Sequence, residues 1–142
     1  MREALAAARE AERAGEVPIG ACVVAGSELL AVAGNLTRTD CDPTAHAEMV
    51  ALRQAARALG NYRLTETIVY STIEPCAMCA GALIQARVGR LVYGARDEKA
   101  GAVESHFQIC DAGMLNHRIE VTAGVLEAEC RTLMQKFFRE RR

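Results

Sequence analysis

The sequence predicts an α/β fold, a sheet carrying helices on its faces. Apolar strand-like runs alternate with helical stretches along the chain, an order that implies right-handed crossovers between strands. Gly26-Ser27 separates two apolar runs and reads as a tight hairpin. The run ending at Thr72 leads through Glu74-Pro75-Cys76 straight into a helix, the kind of strand-end junction where such folds place ligands.

Residues 2–14 are alanine-rich with interspersed Arg and Glu, an amphipathic helix that Gly15 can close. Residues 19–25 and 28–33 are the two apolar runs of the hairpin. A polar loop over 34–43 delivers Asn35 near a strand end and leads into a helix over 44–59, with Gly60 as its stop. Residues 67–72 form the third strand and 76–86 a helix that is apolar almost all round, as expected of one that is buried or lies in an interface. A strand over 90–94, a Gly-containing loop over 95–105, a short helix over 106–112, a strand over 118–122 and a final helix over 125–142 complete the chain.

With 51% of its 142 residues apolar, the chain can bury one good core, which suggests one domain over 1–142. It has no run of about eighteen apolar residues for a membrane span and no charged-then-apolar leader, so the expected location is the cytoplasm. A formal net charge of -1 argues against indiscriminate coating of nucleic acid, because that affinity comes from neutralising many phosphates. Any RNA binding must then use a local basic patch. Six cysteines in a chain of this size and ordinary composition do not read as a disulfide scaffold. Cys22 and Cys130 fall in apolar patterns, where a free cysteine behaves as a small hydrophobe. Cys41 and Cys110 stay open.

Two stretches carry the chemistry, Pro43-Thr44-Ala45-His46-Ala47-Glu48 and Glu74-Pro75-Cys76-Ala77-Met78-Cys79. Cys76 and Cys79, at the start of a helix, lie on one face about a turn apart, close enough for one tetrahedral ion. With His46 they make three zinc ligands. Three protein ligands leave the fourth position to water, which marks a catalytic site. Glu48, two residues beyond His46, can then reach that water as a base without being a ligand. The competing readings are a structural zinc completed by His106 or His117, Cys41 as an alternative ligand, and Glu48 as a helix-start carboxylate favoured by the dipole.

His-Ala-Glu followed by Pro-Cys-Ala-Met-Cys matches the known signature of zinc nucleobase deaminases. Glu16-Val17-Pro18-Ile19-Gly20-Ala21, Asn35, Asp42 to Glu48, Asn61-Tyr62-Arg63-Leu64, Glu74 to Gly81, Gly94-Ala95-Arg96-Asp97, Asn116-His117-Arg118 and Phe137-Phe138-Arg139 extend the likeness over nearly the whole chain. Together they resemble the bacterial tRNA-specific adenosine deaminases of the cytidine/deoxycytidylate deaminase superfamily. That resemblance implies a three-layer α/β/α cytidine-deaminase-like fold with a central mixed five-stranded sheet. It implies hydrolysis of adenosine to inosine at tRNA position 34, with Zn2+ and no organic cofactor, by a homodimer that binds the anticodon stem-loop. Relatives of this kind usually have a short segment before the first helix, so the start here is expected to be truncated or set differently.

By resemblance, Asn35 contacts the flipped base or its sugar, the Ala47 N–H lies in the base pocket, and Val17, Pro18 and Ile19 form its apolar wall. Asp97 is implied in contact with the RNA sugar, with a loop cap or a pairing to Arg96 or Lys99 as the other reading. His106 reads as a partly exposed helix residue or an RNA contact, and Tyr70 and Tyr93 as core. Lys136, Arg139, Arg141 and Arg142 crowd the end of the last helix, where Phe137 and Phe138 point about a hundred degrees apart and cannot both face the core. Arg139 and its neighbours are expected to grip phosphates, with Arg87, Arg90, Arg96 and Lys99 as the other candidates. A guanine or cytosine deaminase, or a zinc-stabilised RNA-binding module without turnover, are the alternative functions.

Overall fold

The structure, a computed structural model, describes residues 1–111 and 113–142. The elements run α1 (Arg2–Arg13), β1 (Gly20–Ala25), β2 (Glu28–Gly34), α2 (Ala47–Leu59), β3 (Thr67–Ile73), α3 (Ala77–Gln85), β4 (Arg90–Ala95), β5 (Glu120–Thr122) and α4 (Glu127–Glu140). The five strands form one sheet in the order β2-β1-β3-β4-β5. β1 is antiparallel to both β2 and β3, whereas β3–β4 and β4–β5 are parallel, so the sheet is mixed, as expected.

Helices cover both faces. Ala47, Ala51, Leu52 and Ala55 of α2 and Ala80, Leu83 and Ile84 of α3 pack on Ala21, Val23, Val69, Leu91 and Tyr93 of the strands, which makes the main core. α1 and α4 take the other face, where Leu5 and Cys130 meet Ala95. Small residues let α1 lie unusually close: a Cβ on Gly20 would sit 1.9 Å from the Ala4 carbonyl oxygen and 2.7 Å from the Ala8 nitrogen. Both obstacles are helix backbone and cannot swing aside. Gly20→Ala is therefore expected to push α1 off the sheet and cost about 1–3 kcal/mol, read as a lowered urea midpoint at unchanged slope.

The register explains why the site assembles at one end. Gly20 pairs with Gly34, Ala21 with Ser71, and Ile73 with Ala95. The entry to β1, the exit of β2, the carboxyl end of β3 and the carboxyl end of β4 thus lie together. Residues 17–19, Asn35, Cys76 and Asp97 follow from those ends.

Several boundaries differ from expectation for local reasons. The second helix begins at Ala47 and not at 44, because Asp42 accepts from the Thr44 N–H (2.8 Å) and hydroxyl (2.7 Å) and holds a turn, leaving His46 extended as the N-cap. The expected helix over 106–112 is a single 3-10 turn at Ile109–Asp111, and Ala112 lies outside the described residues. The last strand starts at Glu120 and the last helix at Glu127, after Leu126 in the left-handed region with φ 52°. No helix among the described residues is long and apolar enough to cross a membrane.

Candidate active site

His46 caps α2 and Cys76 caps α3, so two helix N-termini converge where the sequence expects a metal. His46 Nδ1 lies 3.6 Å from Cys76 Sγ and 3.5 Å from Cys79 Sγ. The donor atoms of the three residues all fall within 4.8 Å of one another. A hydrogen bond from the Cys79 thiol, with a further one from His46, outweighs burial and pushes Cys76 down to about 4. The Cys79 thiol is driven upward as the donor of that bond and by burial. His46 is raised chiefly by its bond to Cys76. One imidazole and two sulfurs form a donor set suited to a tetrahedral metal such as zinc.

Among the described residues no fourth protein donor joins them. His106 is exposed and its Nε2 donates to the Glu98 carbonyl, while His117 Nε2 donates to Val88 O at 2.7 Å. Cys41 is exposed and lies against Arg38 O instead. Cys22, Cys110 and Cys130 are buried apart from the trio.

Glu48, 2% exposed, stands beside the trio on the first turn of α2. Its Oε2 is 3.6 Å from Cys79 Sγ, and its Oε1 accepts from the Ser71 hydroxyl at 3.2 Å, a proton Ser71 shares with Ile73 O at 2.8 Å. Burial raises its proton affinity above that of an ordinary glutamate, outweighing the hydrogen bonds and His46. A buried carboxylate with one oxygen held and the other turned to the trio is equipped to take and return a proton.

Asn35 is 4% exposed; its backbone N–H reaches Ile19 O at 3.0 Å, and the next N–H, Leu36, reaches Ala45 O at 2.9 Å. Those two bonds set Asn35 between the 17–19 segment and His46. Pro18 is buried and Val17 and Ile19 are half-buried. Ala47 is fully buried, and as the first helical residue its N–H has no carbonyl of its own helix to reach. Asp97 Oδ1 accepts from the Lys99 N–H (2.9 Å) and the Ala100 N–H (3.1 Å), which is the loop-cap arrangement, and Arg96 pairs with Glu104.

Arg139 is exposed and lines a groove with Lys99, Met134, Phe138, Arg141 and Arg142. Phe137 is 4% exposed and Phe138 48%, so the two rings divide between core and surface as expected. Arg141 stacks on Phe137 with Cζ 3.5 Å from the ring centroid, and Lys136 sits 3.8 Å from Glu12. Among the other phosphate candidates, Arg87 bonds Asn116, Arg90 bonds Thr122 and Arg96 bonds Glu104, whereas Lys99 joins the groove. Tyr93 is core, and Tyr70 is half-buried in β3.

Two buried glutamates and Ser71 went unassigned in the sequence reading. Glu74, 1% exposed, accepts from the N–H groups of Asp97, Val103, Glu104 and Ser105 and from the Ser105 hydroxyl, knotting the loop after β4 to the start of α3. Glu16 does the same for residues 35–39. The available signal is a carboxylate one or two positions before a proline in an apolar setting, in Glu74-Pro75 and Glu16-Val17-Pro18.

Glu74 has an acid-stability consequence. Burial works to raise its pKa, yet the hydrogen bonds from Ser105, Glu104 and Asp97 win and hold it below the ordinary glutamate value. A depressed carboxylate contributes stability that is fully present above its unfolded pKa of about 4.3 and is lost as pH falls through the lower folded value. Glu74→Gln is expected to lose roughly 1.5–3 kcal/mol at pH 7 and to show a shallower decline below pH ~4, by urea unfolding across pH.

A mixed five-stranded sheet between helices, with a His/Cys/Cys trio that could hold a metal beside a buried glutamate, is a deaminase of the cytidine-deaminase-like fold. The chain belongs to the MafB19-like deaminase family, whose model matches residues 1–142. It is 48% identical over 143 residues to the tRNA-specific adenosine deaminase of Haemophilus influenzae, covering 100% of this chain and 83% of that protein. A solved tRNA:A34 deaminase, from work on A-to-I editing at the wobble position, superposes with a TM-score of 0.91 at 44% identity, covering 94% of this chain and 96% of that one. The guanine deaminase from Nitrosomonas europaea superposes with a TM-score of 0.78 at 27% identity, covering 94% and 80%.

Proposed function

We propose that residues 1–142 act as one deaminase domain that converts adenosine to inosine at wobble position 34 of a tRNA anticodon, releasing ammonia. The chemistry rests above all on Glu48, a buried carboxylate 3.6 Å from Cys79 Sγ yet outside the donor trio. The choice of substrate rests on the full-length relatives, named tRNA-specific adenosine deaminases at 48% and 45% identity. His46, Cys76 and Cys79 would hold Zn2+. When bound, zinc supplies a Lewis acid and lowers the pKa of a coordinated water from about 15.7 towards neutrality.

Glu48 takes a proton from the attacking water and passes it to the ring nitrogen beside the reacting carbon, then takes the proton of the hydroxyl now on that carbon and delivers it to the departing amine. Ser71 keeps Oε1 occupied so that Oε2 does this exchange. Val17, Pro18 and Ile19 wall the base on its apolar side, while Asn35 and the Ala47 N–H fix its orientation. Asp97 Oδ2, the oxygen not used in the loop cap, accepts from a ribose 2'-hydroxyl, which separates RNA from DNA. Arg139 and Arg142 of the groove, with Lys99, meet the phosphates of the stem-loop. A homodimer through the outer sides of α2 and α3 is supported by the apolar groove to which Met49, Ala56, Ala82 and Ala86 contribute. A tRNA substrate supports a cytoplasmic location.

Incubating zinc-loaded protein with an anticodon stem-loop, adenosine, guanine and cytidine tests the reading. Inosine in the stem-loop is expected; product from guanine or cytidine alone, or no product at all, would overturn it. Arg139→Ala with Arg142→Ala should retain zinc and fold, weaken stem-loop binding, and flatten its salt dependence by roughly 0.7 log units per lost phosphate contact. An unchanged salt slope would reduce the tail to a solvated helix end.

A further inference from the structure

Glu16 lies directly behind Asn35 and is fully buried, with no cation against it. Its Oε1 accepts from the Thr39 N–H (2.6 Å), the Thr39 hydroxyl (2.9 Å) and the Arg38 N–H (3.0 Å). Its Oε2 accepts from Asn35 Nδ2 at 3.1 Å and from the Thr37 hydroxyl at 3.4 Å. The second Nδ2 hydrogen of Asn35 goes to Thr37 Oγ1 at 3.0 Å. Burial alone would favour the neutral acid, but the hydrogen bonds from Thr39, Arg38 and Asn35 hold Glu16 in its charged form below the usual glutamate range.

A buried carboxylate with this many donors does more than close a loop. If the Asn35 amide turned over, its Oδ1 would oppose the carboxylate oxygen, acceptor against anion, so only one orientation is allowed. The two amide hydrogens are also held unequally. One bonds an anion, and such charge-assisted bonds are about twice as strong as neutral ones. The other bonds the neutral Thr37 hydroxyl, a weaker acceptor whose own proton goes to Glu16 Oε2.

We infer that Glu16 is a positioning residue for the deaminase reaction: it locks the Asn35 amide through one N–H and leaves the other free to pass from Thr37 to an acceptor atom on the target nucleoside. The recognition of that nucleoside is then set from behind, by a side chain that never touches it. Thr37 serves as a placeholder that satisfies the amide until substrate arrives. This rests on Asn35 lying in the nucleoside pocket, as in the proposed function.

The test combines a spectroscopic and a kinetic arm on the full-length, zinc-loaded protein. In the parent, the Asn35 side-chain amide should show slow hydrogen exchange and one downfield proton by 15N-resolved NMR; a rapidly exchanging, ordinary pair overturns the lock without any variant. Glu16→Gln can still accept the backbone N–H groups through its carbonyl. It should collapse that downfield shift and lower kcat/KM for the stem-loop by roughly tenfold or more, with zinc content unchanged. Asn35→Asp sets two carboxylates together and should fall further. Glu16→Gln combined with Asn35→Asp should recover part of that loss, because the amide introduced at position 16 can donate to the new carboxylate, a coupling that independent losses cannot produce. Parent-like NMR and kinetics in Glu16→Gln, or a double variant that falls by the product of the single losses, would refute the assignment. If the parent shows the locked amide but deaminates no adenosine substrate, the substrate reading falls while the Glu16–Asn35 arrangement stands.

Discussion

Glu48→Ala is expected to keep stoichiometric zinc and the native fold while deamination of the stem-loop falls by at least about a hundredfold, the lower range for a positioned acid–base group. The geometry separates this carboxylate from the metal donors. It is the neighbour of the trio through Cys79, at 3.6 Å, and is held from the other side by Ser71. Removing it also deletes a buried group whose charging is opposed by burial, so the variant should lose little stability. Zinc analysis after gel filtration, circular dichroism and single-turnover rates decide the matter. Activity equal to the parent, or loss of zinc to the extent seen in a ligand variant, would show that Glu48 is not the base. Ser71→Ala should have a smaller effect in the same direction, since it loosens one oxygen and leaves the other facing the trio.

The order and type of the main elements, and the trio, were legible because each rests on local or strongly typed signals. Gly60 stops α2 at φ 63° and Gly26 turns the hairpin at φ 59°, both visible as glycines between periodic segments. The His46, Cys76 and Cys79 spacing is legible for the same reason: few residue types bind zinc. What escaped was decided by contacts between distant segments. The start of α2 depends on Asp42 competing for the Thr44 donors. The stretch over 106–111 looks helical, but the loop before it is pinned to Glu74 from about thirty positions away, and His106 N–H bonds back to Gly101 O. The bland alternative for Asp97 as a loop cap is visible only once Lys99 and Ala100 are seen to donate to it. Glu16 and Glu74 read as ordinary charged residues, since the nearby proline is a weak signal and does not announce that a carboxylate will be fed by backbone donors from another loop.

Cys79→Ala should instead abolish zinc retention. Cys79 is fully buried on the first turn of α3, with its sulfur 3.5 Å from His46 Nδ1, and its loss leaves only two protein donors from separate helices. Zinc bound through two donors exchanges readily, so dialysis against a mild chelator should strip the variant and spare the parent. Turnover should then fall to background, further than in Glu48→Ala. Cys41→Ala is the matched control, because Cys41 is exposed and lies outside the trio; it should bind zinc as the parent does. In the parent, zinc absorption-edge spectra should fit two sulfurs, one imidazole nitrogen and one exchangeable light-atom ligand. A spectrum fitting four protein donors would place His106 or His117 at the metal and turn the centre into a structural one. Their carbonyl contacts, to Glu98 and Val88, leave neither ring directed at the trio. The two variants therefore separate a site that binds the metal from one that uses it: Cys79→Ala loses the ion and the reaction together, Glu48→Ala the reaction alone.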